Sequence, residues 1–391
     1  MATLSPELQF HNLRAVNVLG NGAMGTVFLV YNHITDGPST HRQYFALKVV
    51  EKSFPHGTTD VVRRAGWEVS VLERLKQKPH PFLPLLLGTF ETEEMVAWAI
   101  PYCCGGDLNV LRHRQMDGVF SPSVIRFYVA EIVCALQHLH SMGIVYRDLK
   151  PENVLIQSSG HVTLTDFDLS RALAPKSLRS LIQMSEKPGS LSVKEAHTCV
   201  RLNKAKSARV TPMTRRDSGF SSGERSNSFV GTDEYLAPEV VRGDGHEFAV
   251  DWWALGVLCY EMLYGTTPFR GKNRKDTFAR ILMMPPKFTA KPTLLTDLIT
   301  KLLEKEPTRR LGYASGVCEI QEHPFFDGLR WDLLTEVVRP PFIPSRDEVE
   351  IESKQDCFNI MEYFQNGRHL SSPLESPSRD ECGYNVSFTK F

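Results

Sequence analysis

Three glycines, Gly20, Gly22 and Gly25, stand between two runs that read as β-strand, and this juxtaposition limits the folds open to the chain. Val16, Val18 and Leu19 precede them and Val27-Phe28-Leu29-Val30 follows. β-Branched and aromatic residues on both sides make a strand–turn–strand unit. Glycines without a Cβ let backbone amides approach phosphate oxygens. Alone they fit a phosphate-cradling loop no better than a plain glycine hairpin or a dinucleotide-binding turn, but the dinucleotide turn runs from strand into helix. The next charged residue on a strand is Lys48, inside the apolar run Tyr44–Val50, where an ammonium is expensive unless paired.

Beyond this unit the pattern changes character. Residues 31–43 are polar, with Asp36-Gly37-Pro38, and read as a long hairpin loop. Val61 to Lys76 has helical spacing, with Trp67, Val71, Leu72 and Leu75 on one face, and Pro79, Pro81 and Pro84 end it. Short strands are expected at Leu85–Phe90 and Met95–Ile100. From Pro122 the chain turns helical: Val124 to His140 reads as one long helix, and Val250 to Tyr264 as a nearly all-apolar and therefore buried one. A small β-rich half before a large α-rich half predicts an α+β protein of two lobes.

Lys+Arg and Asp+Glu number 45 each, which weighs against a general nucleic-acid binder unless the charge is uneven. It is uneven. Residues 171–225 hold twelve Lys/Arg against four Asp/Glu, a net charge of +8, and are rich in Ser and short of large apolar residues, a composition expected to be disordered. Residues 345–387 are polar as well. The eight cysteines form no C-x-x-C pair, which predicts reduced thiols in a cytoplasmic or nuclear protein. There is no run of 18 apolar residues and no basic leader before Leu4, so neither a membrane span nor secretion is expected.

Two further blocks decide the class. Tyr146-Arg147-Asp148-Leu149-Lys150-Pro151-Glu152-Asn153 and Asp166-Phe167-Asp168 follow the glycines and Ala46-Leu47-Lys48 in the order of the protein-kinase signature set. From about residue 13 to 326 the sequence resembles a eukaryotic protein kinase. The resemblance implies a small lobe at 13–100, a large lobe at 101–326 with the basic insertion inside it, and a C-terminal extension at 327–391. It implies ATP and Mg²⁺ as cofactors, with Leu19, Gly20, Asn21, Gly22, Ala23, Met24, Gly25, Val27, Ala46, Lys48, Pro101, Cys103 and Asp107 around the nucleotide. Lys48 would hold the α- and β-phosphates, kept in place by an acid on the first helix. Glu68 is the choice for that acid, with Glu73 as the alternative. Asn153 and Asp166 would bind Mg²⁺, which prefers hard oxygen ligands. Asp148 would accept the hydroxyl proton, and Lys150 with Thr232 would steady a Ser or Thr substrate. Pro101 stands where a Glu is usual, but only its carbonyl is needed there, and Pro keeps that. Glu239 would pair with Arg310, and Asp251 would tie the catalytic loop to the core.

The group within the kinases is also legible. Asp251-Trp252-Trp253-Ala254-Leu255-Gly256, Tyr-Arg-Asp in place of His-Arg-Asp, and the extension with Pro340-Pro341-Phe342-Ile343-Pro344 resemble the AGC kinases. Asp168 in place of Gly and the long stretch from Asp168 to Ser228 resemble the plant AGC VIII kinases, and within them the UNICORN and oxidative-signal-inducible subgroup. Asp168 gives up a glycine's free φ rotation; activity is expected to survive because Asp166 remains. The resemblance implies Arg-rich substrates selected by Asp107, Glu152, Glu234 and Glu261. It implies a phosphosite at Ser228, facing Arg147, with autophosphorylation after Arg225 as a competing route to an upstream kinase. Phe388 and Phe391 would dock on the small lobe or recruit a 3-phosphoinositide-dependent kinase. The basic insertion suggests contact with anionic lipid, hence a position peripheral to the plasma membrane. A monomer that binds no nucleic acid is expected. The alternative is an inactive kinase-fold scaffold, which the loss of Lys48, Asp148, Asn153 or Asp166 would favour; all four are present. An adaptor acting only through the insertion explains residues 171–225 and nothing else.

Overall fold

A computed structural model describes residues 8–22, 24–33, 43–52, 59–173, 232–289, 291–336, 340–344 and 357–364. Ala23, most of the basic insertion, Ser228, Phe388 and Phe391 lie outside the described residues.

The small lobe is built on a five-stranded antiparallel sheet. Its strands are β1 (Leu13–Asn21), β2 (Thr26–Asn32), β3 (Phe45–Glu51), β4 (Gly88–Glu91) and β5 (Met95–Pro101), in the spatial order β1-β2-β3-β5-β4. Side chains alternate between its faces. Leu47, Val49, Met95, Ala97 and Ala99 join Phe28 and Val30 in one apolar cluster, whereas Val50, Val96 and Trp98 point the other way into the main core. Ala46 and Lys48 share the parity of Val50 and so face the interior of the molecule. Helix α1 (Thr59–Gln77) buries Ala65, Val71, Leu72 and Leu75 against that inner face.

The large lobe is mainly helical. It contains α2 (Leu108–His113), α3 (Pro122–Ser141), α4 (Pro238–Arg242), α5 (Ala249–Tyr264), α6 (Arg274–Met283), α7 (Leu294–Leu302) and α8 (Val317–Gln321). Ser121 caps α3 by accepting from the Val124 amide, and Pro122 occupies the first turn where its missing N–H costs nothing. α5 is buried on every side and ends at Gly265, whose φ of 72° suits a left-handed cap. Two small hairpin-like pairings carry the catalytic segments: β6 (Ile144–Val145) with β9 (Arg171–Ala172), and β7 (Val154–Ile156) with β8 (Val162–Leu164).

The C-terminal extension touches both lobes. Phe342 packs beside Phe120 of the large lobe, and its carbonyl would meet a Cβ added at Gly160. Phe358 pairs with Ala15, while Ile360 and Phe364 close the outer apolar face of the sheet. The expected strand Leu85–Phe90 begins later, at Gly88. Among the described residues no helix is long and apolar enough to cross a membrane.

Candidate active site

A cleft of about 970 Å³ lies between the lobes. Its roof is the glycine turn: Gly22 N donates to Gly25 O at 2.9 Å, and Gly20 pairs with Val27 across it. A Cβ at Gly25 would run into the Val49 carbonyl, so that glycine is required by packing; at Gly20 a Cβ would meet open space, and at Gly22 only an ordinary contact with the Gly25 carbonyl. Leu19, Met24, Val27, Ala46, Pro101, Cys103 and Asp107 line the cleft with them. Asn21 pairs with Thr26 at the end of β1. Burial pushes the Cys103 thiol up to about 12, so it is a neutral hinge residue rather than a thiolate ligand.

Lys48 sits on β3 opposite Val27 and Trp98. Its Nζ donates to Glu68 Oε2 and to Asp166 Oδ1, both at 2.8 Å. Burial pulls this ammonium down, but the two carboxylates outweigh it and hold its pKa above the ordinary value. The partner supplied by α1 is thus Glu68, four residues after Arg64 on one helix face. Burial also opposes the charge on Asp166, yet Lys48 prevails and keeps that carboxyl below the usual range.

On the floor, Asp148 Oδ2 accepts from Lys150 Nζ at 3.0 Å and from Asn153 Nδ2 at 2.8 Å. Lys150 also reaches Thr232 Oγ1 at 3.3 Å. The backbone of this loop is set from far away. Asp251, fully buried on α5, accepts from Tyr146 N at 2.9 Å and Arg147 N at 2.8 Å. Arg147 and Asp166 are the only non-glycine residues with positive φ among those described, at 70° and 59°. Such backbone costs of order 1–3 kcal/mol and persists where the surroundings impose it.

The donor set suits a hard cation. The Asn153 amide nitrogen is spent on Asp148, which leaves its oxygen as an acceptor; Lys48 occupies only one oxygen of Asp166. Asn153, Asp166, the cationic Lys48 and the glycine roof line one cleft, and hard oxygen acceptors beside a cation are the groups that a nucleoside triphosphate with its metal would use.

The four acids expected to select substrate are in different situations. Asp107 caps α2 through the Val110 amide at 2.7 Å. Burial pushes the Glu152 carboxyl upward, with Glu261 and Asp107 adding to it. Glu261 accepts from Tyr235 Oη at 2.6 Å and faces Arg112 at 3.5 Å, while Glu234 accepts from Thr267 and faces Arg270 at 3.6 Å. The last two acids are therefore already engaged by the chain's own side chains, which residue matching along the sequence does not reveal. Arg147 donates from Nε to Leu169 O at 2.6 Å and lies against His246. The expected pair Glu239–Arg310 is present and bidentate.

Several contacts at and beside the cleft are not written in the sequence. Arg64 bonds the Asp168 carboxylate, and Trp67 Nε1 donates to Ser170 Oγ at 2.9 Å. Trp98, Ile100 and Leu155 add apolar lining. The spacing of Arg64 and Glu68 was the available signal for the first. Asp168 itself does not take a positive φ, so the loss of glycine there brings no backbone strain.

This geometry defines a protein kinase, and sequence comparison agrees: a profile described as the protein kinase domain matches residues 13–187 and 217–326. The chain belongs to that family, and within it to the plant AGC serine/threonine kinases. It is 53% identical over 406 residues to serine/threonine-protein kinase UCN of Arabidopsis thaliana, covering 100% of this chain and 98% of that one. It is 56% identical to serine/threonine-protein kinase UCNL of the same plant, over 98% of this chain and 96% of the relative. Serine/threonine-protein kinase OXI1, also from Arabidopsis thaliana, is 44% identical, over 92% and 86%.

Proposed function

We propose that the protein transfers the γ-phosphoryl group of ATP to Ser or Thr in Arg-rich protein sequences. The observation that carries this is the meeting in one cleft of two constellations: Lys48 with Glu68 and Asp166, and Asp148 with Lys150 and Asn153. Lys48 has the charge and the reach to hold phosphate oxygens, and Glu68 fixes where it stands. Asp148 orients the substrate hydroxyl and accepts its proton as the new O–P bond forms and the bond to the β–γ bridging oxygen breaks. Lys150 balances charge beside it. Asp166 and Asn153 would hold Mg²⁺, which when bound would supply charge neutralisation on the phosphates. Little covalent work is left to the protein, so positioning and electrostatics carry the rate.

Arg selection rests on Asp107 and Glu152, which line the cleft and act on each other's charge together with Glu261, and on Glu234. Carboxylates gathered together favour guanidinium through charge-assisted, often bidentate bonds. The reading takes residues 13–326 as the catalytic unit and 327–391 as its extension, and the working form as a monomer. It carries Ser228 as the activating phosphosite, Phe388 and Phe391 as the docking pair, and the insertion as a lipid contact; apart from residues 171–173 of the insertion, these lie outside the described residues.

The test is phosphate transfer to an arrayed Ser/Thr peptide library, with wild type beside Asp148→Asn. Transfer favouring Arg two and three residues before the acceptor, lost in the variant, is expected. An acidic or proline-directed preference would remove the Arg assignment, and transfer unaffected by Asp148→Asn would remove the proposed chemistry.

A further inference from the structure

The residue after Phe167 bears on how α1 is held. Because Asp168 does not need a left-handed backbone, its side chain can be assigned a task of its own. Only 5% of that side chain is exposed, and its carboxylate bonds the guanidinium of Arg64 on α1, itself 30% exposed. Two residues further, Ser170 Oγ accepts from Trp67 Nε1 at 2.9 Å and donates to Phe167 O at 2.6 Å. The segment that carries Asp166 is therefore joined to α1 at three places: through Lys48 to Glu68, through Asp168 to Arg64, and through Ser170 to Trp67. Arg64, Trp67 and Glu68 fall on one side of the helix, since residues three and four apart are neighbours there.

We propose that Asp168 is a positioning residue for phosphate transfer: through Arg64 it fixes the rotation and depth of α1, and so keeps Glu68 on Lys48. The inference rests on the kinase reading of the site. The Lys48–Glu68 bond alone sets one point of the helix and leaves it free to turn about that point; a second charged bond one turn away removes that freedom. The bond is largely out of water, where screening is weak. Deleting Arg64 leaves the Asp168 carboxylate buried and uncompensated, and deleting Asp168 leaves Arg64 without its tie, whereas deleting both strands no buried charge. An aspartate here thus makes the helix position an internal property of the chain.

The full chain is compared as wild type, Asp168→Asn, Asp168→Gly, Arg64→Met, Arg64→Lys and the double variant Arg64→Met/Asp168→Asn. Measured are kcat, the KM for ATP, the thermal midpoint, and amide hydrogen exchange across residues 59–77 and 249–264. Expected is at least a tenfold loss in kcat/KM for ATP in Asp168→Asn, Asp168→Gly and Arg64→Met. Arg64→Lys should stay within about threefold of wild type, because it keeps the charge and the bond to Asp168 uses a single guanidinium nitrogen. The double variant should be no worse than the worse single one. Exchange should rise in 59–77 and not in 249–264. Wild-type kinetics and exchange in Asp168→Gly overturn the proposal. So do losses that multiply in the double variant, or losses in kcat/KM that merely follow the thermal midpoint. If the wild type itself transfers no phosphate, the kinase reading fails, and the exchange of 59–77 still decides whether Asp168 holds the helix.

Discussion

Two buried ion pairs stand in different parts of this molecule and are finished differently. Under the large lobe, Arg310 meets Glu239 through two bonds of 2.7 and 2.8 Å and spends further donors on the carbonyls of Ala249 and Glu304. Its side chain is fully buried. In the cleft, Lys48 divides itself between Glu68 and Asp166, and Asp166 keeps 37% of its side chain exposed. The first pair is closed: nearly every polar atom has its partner, and there is nothing left for a ligand to bind. The second is deliberately incomplete, with acceptors facing open space. A charge buried for structure is satisfied from within, and a charge buried for chemistry is left partly unsatisfied.

The comparison breaks if the cleft pair turns out to hold up the fold. Asp166→Asn is expected to lower phosphate transfer by about a thousandfold while leaving the thermal midpoint nearly where it was, because Asp166 is 37% exposed and Lys48 keeps Glu68; steady-state transfer and a thermal scan on the same preparation check this. The converse is Arg310→Met. Leaving Glu239 buried without its partner is expected to cost about 3–5 kcal/mol of stability, read by denaturant titration, with the activity per folded molecule largely preserved. A milder probe asks whether Glu152 belongs with the open group. Glu152→Gln should narrow the preference for an Arg-containing peptide over its Gln counterpart by about tenfold, in line with roughly 1.5–3 kcal/mol for a hydrogen bond to a charged group; paired kcat/KM measurements decide it.

The most gradual effect is one of pH. His246 lies against Arg147, its Nε2 accepting at 3.3 Å. Burial, and then Arg147, pull its pKa from 6.5 to about 3. Below 6.5 the unfolded chain takes up a proton that the folded imidazole refuses. Stability is therefore full above pH 6.5 and declines as the pH falls toward 3, by at most about 1.4 kcal/mol per pH unit for this one group. His246→Asn should flatten part of that decline in urea titrations between pH 7.5 and 4.5. An unchanged slope would mean that His246 is not the group titrating.

Much of this was legible in the sequence because it is local. Strand alternation around Lys48, the helical spacing of Val71, Leu72 and Leu75, and the all-apolar run that became α5 are each written in a few consecutive residues. The ion pair of Lys48 could be anticipated from its cost alone: an ammonium inside an apolar strand needs acids nearby. What escaped were bonds between segments about a hundred residues apart. Arg64 with Asp168 and Trp67 with Ser170 join two elements whose approach no local pattern announces. Asp168 was read through its backbone, as a lost glycine, whereas its side chain carries the consequence. Glu234 and Glu261 looked free because Arg270, Thr267, Arg112 and Tyr235 come to them only through the fold. The packing of Phe358 and Ile360 over the outer sheet was likewise hidden in a stretch too polar to read as structure.

The two carboxylate bonds from Asp251 to the amides of Tyr146 and Arg147 have a bearing on how the molecule comes into being. Lys48, Glu68, Asp148, Asn153 and Asp166 have all been added to the chain before residue 170 is made, yet the loop holding Asp148 lacks its two carboxylate-held amides until residue 251 follows and α5 docks. A domain emerging N-terminus first thus carries every reacting side chain for some eighty residues of synthesis without a working arrangement of them. A truncated product ending before α5 would contain the whole motif set and still be inert. Competence arrives late in translation, and it arrives from the helix that does no chemistry.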